Sequence, residues 1–404
     1  MPVPGDRRPL ALVANPSGDV YGSDLQMLES VQALIEDGFD VLVVLGADGP
    51  LKERLSERGA DVMIRPFPVL RRADASVGGV VSLGWRGLRS IALLSAIIRE
   101  VSPDVLYVNT VTLPWWIEAG RRAHVPVVVH VHEAETTDGR LVRFALNAPL
   151  LRAHRIISIS RASTAALTAA VPALGKKTVE VYNGVTEPPA EPAPVRSFDG
   201  PVTLSVVARL SPRKAPDVAL EAAAILRSRG RDVRLELCGT PFDGYGWYEQ
   251  QLRDRAGQPD LSGHVAFPGY VSPIWPALER ADIVLAPSLR EPFGNAVVEA
   301  QFARRPVVAA AALGHLESIE DGRTGLLVTP GDPVAFADAV EALLDDPERA
   351  RRMAEDARAS ALQRFTLGRY RTEIASTLRA VTTAAESTRR ARRSARAGRE
   401  VLVH

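Results

Sequence analysis

Residues 281–299 read ADIVLAPSLREPFGNAVVE, an apolar run followed by two glutamates eight positions apart. The run 281–287 is apolar at consecutive central positions, so it predicts a strand with both faces buried, as in a parallel sheet. Glu291 then follows the carboxyl end of that strand, where open α/β sheets bind ligands. Asn295 is a candidate cap for the next helix. This stretch therefore predicts an α/β domain with a ligand site at that edge of its sheet.

The two glutamates allow two interpretations. Glu299 falls about one turn inside the predicted helix, where its carboxylate can accept hydrogen bonds from two hydroxyls of a ribose. Gly294 lets the backbone approach a ligand closely, and the first amides of the helix can donate to ligand oxygens. The alternative is that Glu291 is an ordinary loop residue and that Glu299 lies on a solvated helix face. From these residues alone, both interpretations stay open.

The wider segment carries a family resemblance. EPFGNAVVEA at 291–300, followed by RRPVVAAAALGHLESIEDGRTGLLVTPGD at 304–332, resembles the C-terminal domain of retaining glycosyltransferases of family 4. In that family the second glutamate binds the donor ribose and the first lies beside the transferred sugar, which implies these roles for Glu299 and Glu291. The resemblance also implies three donor contacts between them: Phe293, Gly294 and Asn295.

Two cations, Arg209 and Lys214, follow a second predicted strand, 202–208, within the string ARLSPRKAP. Beside a helix N-terminus they can bind a diphosphate through charge-assisted hydrogen bonds. The segment resembles the Gly-Arg-Leu-x-x-x-Lys-Gly element of the same family, with Ala208 and Ala215 in place of its glycines. The resemblance implies that the two cations hold the donor diphosphate and offset the charge of the leaving group.

Two histidines, His130 and His132, end a predicted strand in VVVHVHE at 127–133. Alternation along the strand places both imidazoles on one face. A metal site would need further ligands, and no other His or Cys cluster in the sequence supplies them. In the family a similar strand ends in His-Asp or His-Glu, and that histidine contacts the transferred sugar across the cleft. The resemblance assigns this role to His132 and leaves His130 buried in the strand.

The first strand-to-helix turn contains Tyr21, Gly22 and Ser23. It resembles the glycine-rich loop that lies between donor phosphates and acceptor in the family, with Tyr21 where the first glycine often stands. The resemblance implies that Gly22 and Ser23 line this phosphate and acceptor loop. A tight turn followed by a Ser or Asp helix cap is an equally consistent interpretation.

Apolar runs alternate with amphipathic ones along most of the chain, which predicts repeated β-then-α units and parallel, doubly wound sheets. The predicted fold class is therefore α/β. The resemblance implies GT-B, with two Rossmann-like doubly wound domains facing a central cleft. The predicted strands are 10–14, 41–45, 105–109, 125–131 and 155–159, then 202–208, 234–238, 265–267, 283–286 and 307–310.

A proline-rich stretch separates the two predicted domains. It should form a stiff, extended connection, because proline restricts the backbone. The predicted organisation is an N-terminal Rossmann-like acceptor-binding domain at 1–185, a linker at 186–200, a C-terminal Rossmann-like nucleotide-sugar-binding domain at 201–365, a helix packing back on the first domain at 366–385, and a disordered basic tail at 386–404.

Composition and missing motifs narrow the function. Lys plus Arg total 49 against 48 for Asp plus Glu, so no net charge attracts nucleic acid. The single cysteine, Cys238, excludes an intramolecular disulfide and a multi-cysteine metal site. The sequence contains no Asp-x-Asp, no phosphate-loop GxxxxGK[ST] and no GxSxG elbow. We expect a reaction without metal or other cofactor, in which Arg209 and Lys214 take the place of a cation.

Location is predicted from the apolar segments and the tail. No stretch reaches the ~18 uninterrupted apolar residues of a membrane span, and Asn15 ends the first apolar segment too early for a secretion signal. We expect a cytoplasmic protein, free or peripheral on the inner face of the plasma membrane. Arginines between Arg389 and Arg399 can attract anionic lipid. A plain solvated tail is the alternative.

The resemblance, together with these features, implies a retaining, nucleotide-sugar-dependent glycosyltransferase with Glu291 and His132 as its catalytic residues. The donor would be a nucleotide-diphosphate hexose or related sugar. The acceptor would be a glycan, a lipid-linked molecule or a small molecule, in cell-envelope or exopolysaccharide biosynthesis. Two alternatives stay open, namely a nucleotide-sugar epimerase of the same fold and a non-catalytic module that binds a nucleotide-sugar or docks on a membrane.

Overall fold

The computed structural model of this protein describes residues 7–20, 22–70, 77–134, 139–242 and 244–401. The chain forms two compact units, which we call the N-terminal and the C-terminal domain. The N-terminal domain comprises the residues up to Gly184 and those from Gly368 onward, and the C-terminal domain comprises Val185–Leu367. The end of the chain therefore belongs to the domain in which the chain begins.

The N-terminal domain is built on a parallel sheet. Its described strands are β1 (Leu10–Asn15), β2 (Asp40–Leu45), β3 (Asp61–Ile64), β4 (Val105–Val108), β5 (Val127–Val131), β6 (Arg155–Ser158) and β7 (Thr178–Glu180). They pair in the order β3-β2-β1-β4-β5-β6-β7. The central strands consist of consecutive apolar residues, which is typical of strands whose two faces are both buried under helices.

Helices on the two faces bury two separate clusters of apolar side chains. The described helices before the domain boundary are α1 (Gly22–Glu36), α2 (Leu51–Glu57), α3 (Val77–Val101), α4 (Pro114–Arg122), α5 (Arg140–Asn147) and α6 (Arg161–Ala170). Helices α1 and α2 contribute to one cluster, and α3, α4 and α6 contribute to the other. Because helices cover both faces of this sheet, a ligand site is expected at the ends of its strands.

The C-terminal domain repeats this plan. Its described strands are β8 (Val202–Val207), β9 (Val233–Cys238), β10 (Val265–Gly269), β11 (Ile283–Ala286), β12 (Val307–Ala310) and β13 (Leu326–Val328), paired in parallel in the order β10-β9-β8-β11-β12-β13. Its described helices are α7 (Pro216–Ser228), α8 (Gly246–Ala256), α9 (Trp275–Arg280), α10 (Asn295–Phe302), α11 (His315–Ser318), α12 (Pro333–Leu344) and α13 (Pro347–Arg364).

The proline-rich segment 186–200 contains neither helix nor strand and is fastened to the C-terminal domain. Arg196 donates to both carboxylate oxygens of Asp282, one of them at 2.6 Å, and Asp282 also accepts from the Thr203 amide at 2.7 Å. Farther up the segment, Glu191 accepts from Arg358 at 2.8 Å. These contacts fasten the middle of the segment to the C-terminal domain.

The last helix, α14 (Leu367–Val401), packs on the N-terminal domain. Tyr370 is buried there, with its hydroxyl 2.6 Å from the Ser30 hydroxyl, and Arg371 donates to Glu29 of α1. The helix continues through the basic segment, which differs from the disordered tail predicted from residue 386. Alanine and arginine are favourable helix formers, so the helix extends beyond its last buried contacts. Among the described helices, none is long and apolar enough to cross a membrane.

Candidate active site

Two loops of the C-terminal domain bring the predicted donor-site residues together. One loop joins β8 to α7 and the other joins β11 to α10. Strands β8 and β11 are direct neighbours, while β8 continues to β9 on its other side. Successive strands are added to one side of β8 as far as β10 and then to its other side from β11 onward, so the strand order reverses between β8 and β11. Ligands of open α/β sheets bind at such a switch point, outside the carboxyl ends of the strands.

At this switch point Lys214 contacts Glu291. The Lys214 ammonium donates to Glu291 Oε2, and both side chains are largely buried, with 19% and 14% of their surface exposed. Burial alone would raise the pKa of Glu291, but the charge and hydrogen bond of Lys214, with smaller effects of His315 and Arg213, hold that pKa below its usual value. Glu291 is therefore a carboxylate at neutral pH.

Backbone hydrogen bonds hold the loop that carries Glu291 from two sides. The Leu289 amide donates to the Arg213 carbonyl at 3.0 Å, and the Arg213 guanidinium donates to the Arg290 carbonyl at 3.2 Å. From the segment after β12, the Gly314 amide donates to the Glu291 carbonyl at 2.8 Å. The position of the carboxylate is thus determined by backbone contacts with two other loops.

Gly294 and two residues that were not singled out from the sequence, Gly314 and His315, shape this loop. A Cβ on Gly314 would lie 2.4 Å from Phe293 Cα, so only glycine fits there. Gly294 has φ of +102°, and a Cβ on it would lie 2.9 Å from Cδ2 of His315. The imidazole of His315 is buried and donates from Nδ1 to the Ala310 carbonyl at 2.9 Å. Burial lowers the pKa of His315, which favours its neutral form. Gly314 and His315 do occur in the segment that carries the family resemblance.

The remaining predicted donor contacts, Phe293 and Asn295, follow Glu291 between β11 and α10. Phe293 is buried, and its ring packs edge-on against Phe365 at a centroid distance of 5.4 Å. Asn295 is the first residue of α10, with Gly294 as the N-cap. The predicted cap was Asn295, so the helix begins one residue earlier than that prediction implies. Its first amides, at the end of β11, lie on the ligand-binding edge of the sheet.

Glu299 lies one turn into α10 and is partly buried. Among the described residues, no donor lies within hydrogen-bonding distance of its carboxylate. Burial raises the pKa of Glu299 to about 7. A half-buried carboxyl without a protein donor is suited to receive the hydroxyls of a ligand, because such hydrogen bonds replace those it loses to water.

Arg209 lies in the same β8–α7 loop as Lys214. Its guanidinium carbon is 4.3 Å from the centroid of the Phe242 ring, which is a cation–π contact. The loop passes close to the end of β9, since a Cβ on Gly239 would lie 1.8 Å from the Ala208 carbonyl oxygen. Gly239 therefore helps to position the loop that carries Arg209 and Lys214. It was not predicted from the sequence, because a single glycine there matched no motif.

The N-terminal domain also places polar side chains at its switch point, between β1 and β4. His132 follows β5, and its Nε2 is 2.8 Å from Asn109 Oδ1, at the end of β4. The rings of His130 and His132 have centroids 4.1 Å apart, and His130 is fully buried. Burial lowers the pKa of His132 to about 4, so this imidazole is neutral at pH 7.

The predicted phosphate and acceptor loop is described in part. Gly22 and Ser23 begin α1, and a Cβ on Gly22 would meet no atom within 4 Å. Tyr21 lies outside the described residues. No group of three or more His, Cys, Asp or Glu side chains is arranged to hold a metal ion in the described ranges.

Two doubly wound parallel-sheet domains define the GT-B class of fold, which confirms the predicted fold class. Residues 189–360 match the family model of glycosyl transferases group 1, and residues 22–184 match a glycosyl transferase 4-like domain. Each of the two matches lies within one of the two domains of the chain.

Individual proteins show the same likeness. The D-inositol 3-phosphate glycosyltransferase of Corynebacterium glutamicum is 38% identical over 158 residues, which are 38% of this chain and 38% of that protein. The alpha-D-kanosaminyltransferase of Streptomyces kanamyceticus is 34% identical over 185 residues, 45% of this chain and 46% of that protein. The chain spans less than half the length of these curated relatives. The crystal structure of Anabaena HepE in complex with UDP and glucose has a TM-score of 0.76 and 26% identity, covering 91% of this chain and 98% of that one.

Proposed function

We propose that this protein is a retaining glycosyltransferase of family 4 that transfers a hexose or related sugar from a nucleotide-diphosphate donor. The observation that carries the proposal is the contact between Lys214 and Glu291 at the β8–β11 switch point. A cation and a carboxylate in contact there can serve the two charges that separate when a glycosidic bond to a diphosphate breaks.

In the proposed binding mode the C-terminal domain holds the donor. Arg209 and Lys214 bind the diphosphate, and the first amides of α10 donate to its oxygens. Glu299 accepts the ribose hydroxyls, and Phe293, Gly294 and Asn295 line the same edge. The N-terminal domain holds the acceptor beside Gly22 and Ser23, and His132 contacts the transferred sugar.

In the proposed reaction the bond between the anomeric carbon and the diphosphate oxygen breaks, and its electron pair goes to the diphosphate. The acceptor hydroxyl oxygen forms a new bond to the anomeric carbon on the same face, and its proton passes to the leaving diphosphate. Arg209 and Lys214 stabilise the negative charge, and Glu291 stabilises the positive charge on the sugar. Double displacement through a covalent intermediate is the alternative route to retention.

The proposed reaction needs no metal, because the two cations already offset the charge of the diphosphate. Transfer should therefore be unchanged by EDTA, and a rate that falls with EDTA and returns with Mg²⁺ or Mn²⁺ would overturn this part. HepE was crystallised with UDP and glucose, which supports a UDP-sugar as the first donor to test. The relatives are named for an inositol phosphate and for a kanosaminyl group, so they support no single acceptor class.

The test of the donor site is a thermal-shift screen of the purified protein with UDP-, GDP-, ADP- and dTDP-sugars. A donor at about 100 times its Kd should raise the Tm by roughly 5–10 °C. The Arg209→Ala/Lys214→Ala variant should lose this shift. The matched variant Lys176→Ala/Arg234→Ala, which removes two exposed cations, should keep it. An undiminished shift in the first variant would refute the diphosphate site.

The two alternatives predict different outcomes from the proposed transferase. An epimerase would convert the donor alone into a new nucleotide-sugar, whereas the proposed transferase needs an acceptor. A non-catalytic module would keep its function when Glu291 is replaced by alanine. Chromatography of donor incubated with and without acceptor, for the wild type and for Glu291→Ala, separates all three.

Glu299 should make donor binding depend on pH. Ribose hydroxyls donate to the ionised carboxylate, and burial raises the pKa of Glu299 to about 7. The affinity for UDP-glucose should therefore fall by up to about tenfold between pH 8 and pH 6. The diphosphate of this ligand does not titrate in that range, and calorimetry measures the change. The Glu299→Gln variant should bind more weakly and with no such pH dependence.

The same raised pKa has the opposite effect on the stability of the ligand-free protein, which should fall as pH rises. Because the folded pKa is raised, the contribution of Glu299 to stability is complete below the ordinary carboxyl pKa and is lost as pH rises through about 7. The ligand-free Glu299→Gln variant should thus gain Tm relative to the wild type as pH rises from 5 to 8. A constant difference in Tm would contradict the raised pKa.

We also propose that the protein is cytoplasmic and contacts anionic membrane peripherally through the tail between Arg389 and Arg399. Its proposed role is in cell-envelope or exopolysaccharide biosynthesis. Arg389 and Arg390 are exposed on α14. Sedimentation with phosphatidylglycerol vesicles should carry down the full chain but not a chain ending at Thr388. Equal sedimentation of the two chains would refute a role of the tail.

A further inference from the structure

A chain of buried hydrogen bonds links His132 to Asp24 in the N-terminal domain. Asn15 Nδ2 is 2.9 Å from Asp24 Oδ1, Asn109 Nδ2 is 2.8 Å from Asn15 Oδ1, and His132 Nε2 is 2.8 Å from Asn109 Oδ1. Asp24 and both asparagines are at most 3% exposed. We call these four residues the asparagine relay. It connects the first turn of α1 to the ends of β1, β4 and β5 in succession.

The chemistry of the neighbours determines the direction of every bond in the asparagine relay. Asn15 also lies 2.9 Å from the Ser17 carbonyl oxygen, which can only accept, so the atom facing Ser17 is the amide nitrogen. Its second hydrogen goes to the Asp24 carboxylate, which is favoured in the first turn of a helix by the helix dipole. Asn15 must therefore present its oxygen to the next residue.

The same reasoning continues to the histidine. Asn109 has to donate to the Asn15 oxygen, so its own oxygen faces His132. An amide oxygen only accepts, and Nε2 of His132 must then carry a proton. The neutral ring has a single N–H, so Nδ1 keeps its lone pair, and among the described residues no partner for Nδ1 is found.

The groups around the His132 ring favour its neutral form. The ring of His130 lies against that of His132 at an interplanar angle of 42°, and burial lowers the pKa of both rings. Glu133 is directed elsewhere, because its carboxylate accepts from the His132 amide at 3.0 Å and from the Thr110 hydroxyl at 2.6 Å. The carboxylate of Asp24 is separated from the ring by two amide side chains. No carboxylate therefore contacts the ring in the described structure.

We propose that Asp24, Asn15 and Asn109 are positioning residues that hold His132 as its Nε2-protonated tautomer, so that Nδ1 accepts a hydrogen bond from a hydroxyl of the transferred sugar. This inference rests on the proposed function, in which His132 contacts that sugar. It also adds a specificity. A sugar that offers a hydroxyl to Nδ1 is favoured, and one that offers only an acceptor, such as a carboxylate, is rejected because two acceptors would face each other.

The tautomer can be measured without any reaction. In protein labelled with ¹⁵N-histidine, long-range ¹H–¹⁵N spectra distinguish a protonated from an unprotonated ring nitrogen, and His132→Gln identifies the signals. We expect Nε2 to be protonated and Nδ1 unprotonated from pH 6 to pH 8, without averaging. UDP-glucose, but not UDP, should shift the Nδ1 signal. A protonated Nδ1, or averaged signals in the wild type, would overturn the relay.

Variants of Asn109 test whether the relay acts through His132. Asn109→Leu removes both bonds and should give averaged ring signals, with kcat reduced roughly 10- to 100-fold and a smaller change in KM. Asn109→Asp keeps an acceptor for Nε2 and should restore the tautomer and part of kcat. Asn147→Leu alters a buried asparagine of the same domain whose side chain donates to the Arg143 carbonyl, and it should leave the His132 signals unchanged.

The outcomes separate the two levels of the proposal. Unchanged ring signals and kcat in Asn109→Leu would overturn the positioning role. The expected tautomer together with full transfer activity of His132→Gln would instead overturn the contact between His132 and the sugar, which belongs to the proposed function. If Asn109→Leu does not fold, Asn109→Asp carries the test, because a carboxylate in contact with Nε2 should keep that nitrogen protonated and raise the pKa of His132. An unchanged titration of the ring in Asn109→Asp would overturn the positioning role.

Discussion

Replacing Lys214 with alanine is expected to lower kcat/KM roughly 100- to 1,000-fold, the effect of removing one preorganised group that stabilises transition-state charge. Lys214 is the cation in contact with Glu291 at the β8–β11 switch point, and it is only 19% exposed. Both the leaving diphosphate and the carboxylate lose their partner in this variant. Initial rates with a UDP-sugar, compared with those of the exposed-site variant Lys176→Ala, measure the effect.

The same variant should reverse the pH dependence of Glu291. In the wild type Lys214 holds the pKa of Glu291 low, so its contribution to stability is present above the ordinary carboxyl pKa and is lost as pH falls through the lowered value. Without Lys214, burial dominates and raises that pKa. The Tm deficit of Lys214→Ala should therefore grow from pH 5 to pH 8, and a deficit that shrinks over this range would contradict the ion pair.

Gly314→Ala is expected to damage the proposed donor site by displacing the loop that carries Glu291. The new Cβ would lie 2.4 Å from Phe293 Cα and 2.6 Å from the Phe293 and Pro292 carbonyl oxygens. Backbone atoms cannot rotate away, so the loop carrying Glu291 has to move. Overpacking costs about 1–3 kcal/mol, or roughly 5 °C of Tm, and a shift of about 1 Å in a catalytic group can cost 100-fold in rate.

A matched glycine controls for the substitution itself. Gly246 begins α8 in the same domain, and a Cβ on it would meet no atom within 4 Å. Gly246→Ala should keep the Tm and kcat/KM of the wild type. If Gly314→Ala also behaves like the wild type, the loop accommodates the methyl group and Gly314 does not position Glu291. Thermal melts and initial rates of both variants decide the question.

Much of the fold is readable from local patterns. Strands β8, β11 and β12 were predicted within one or two residues, because a fully buried parallel strand is a short uninterrupted apolar run. Strands β3, β7 and β13 were not predicted. They are edge strands of three or four residues, and most of their positions are only partly buried, so their apolar pattern is weak. A strand whose positions are only half-buried does not need a continuous apolar run, so the pattern that identifies central strands is missing.

The candidate site divides in the same way. Glu291, Glu299, Arg209 and Lys214 were singled out from their strand-end positions together with the family resemblance, and their catalytic and binding roles stay predictions. Asn15 and Asn109 were not singled out, because an asparagine at the end of a strand is common in loops and turns. Their importance arises from a hydrogen bond between residues 94 positions apart, which no local pattern indicates.

The sequence by itself determined the buried central strands, where the chain divides into two doubly wound domains, and which polar residues follow those strands. These features depend on neighbours within a few positions, through apolar periodicity, capping and turn preference. Only the tertiary structure decided that Lys214 meets Glu291, that Gly314 supports the loop of Phe293, and that the asparagine relay ends on His132. Such contacts depend on the order of strands in each sheet, and that order is set by packing between segments far apart in the chain.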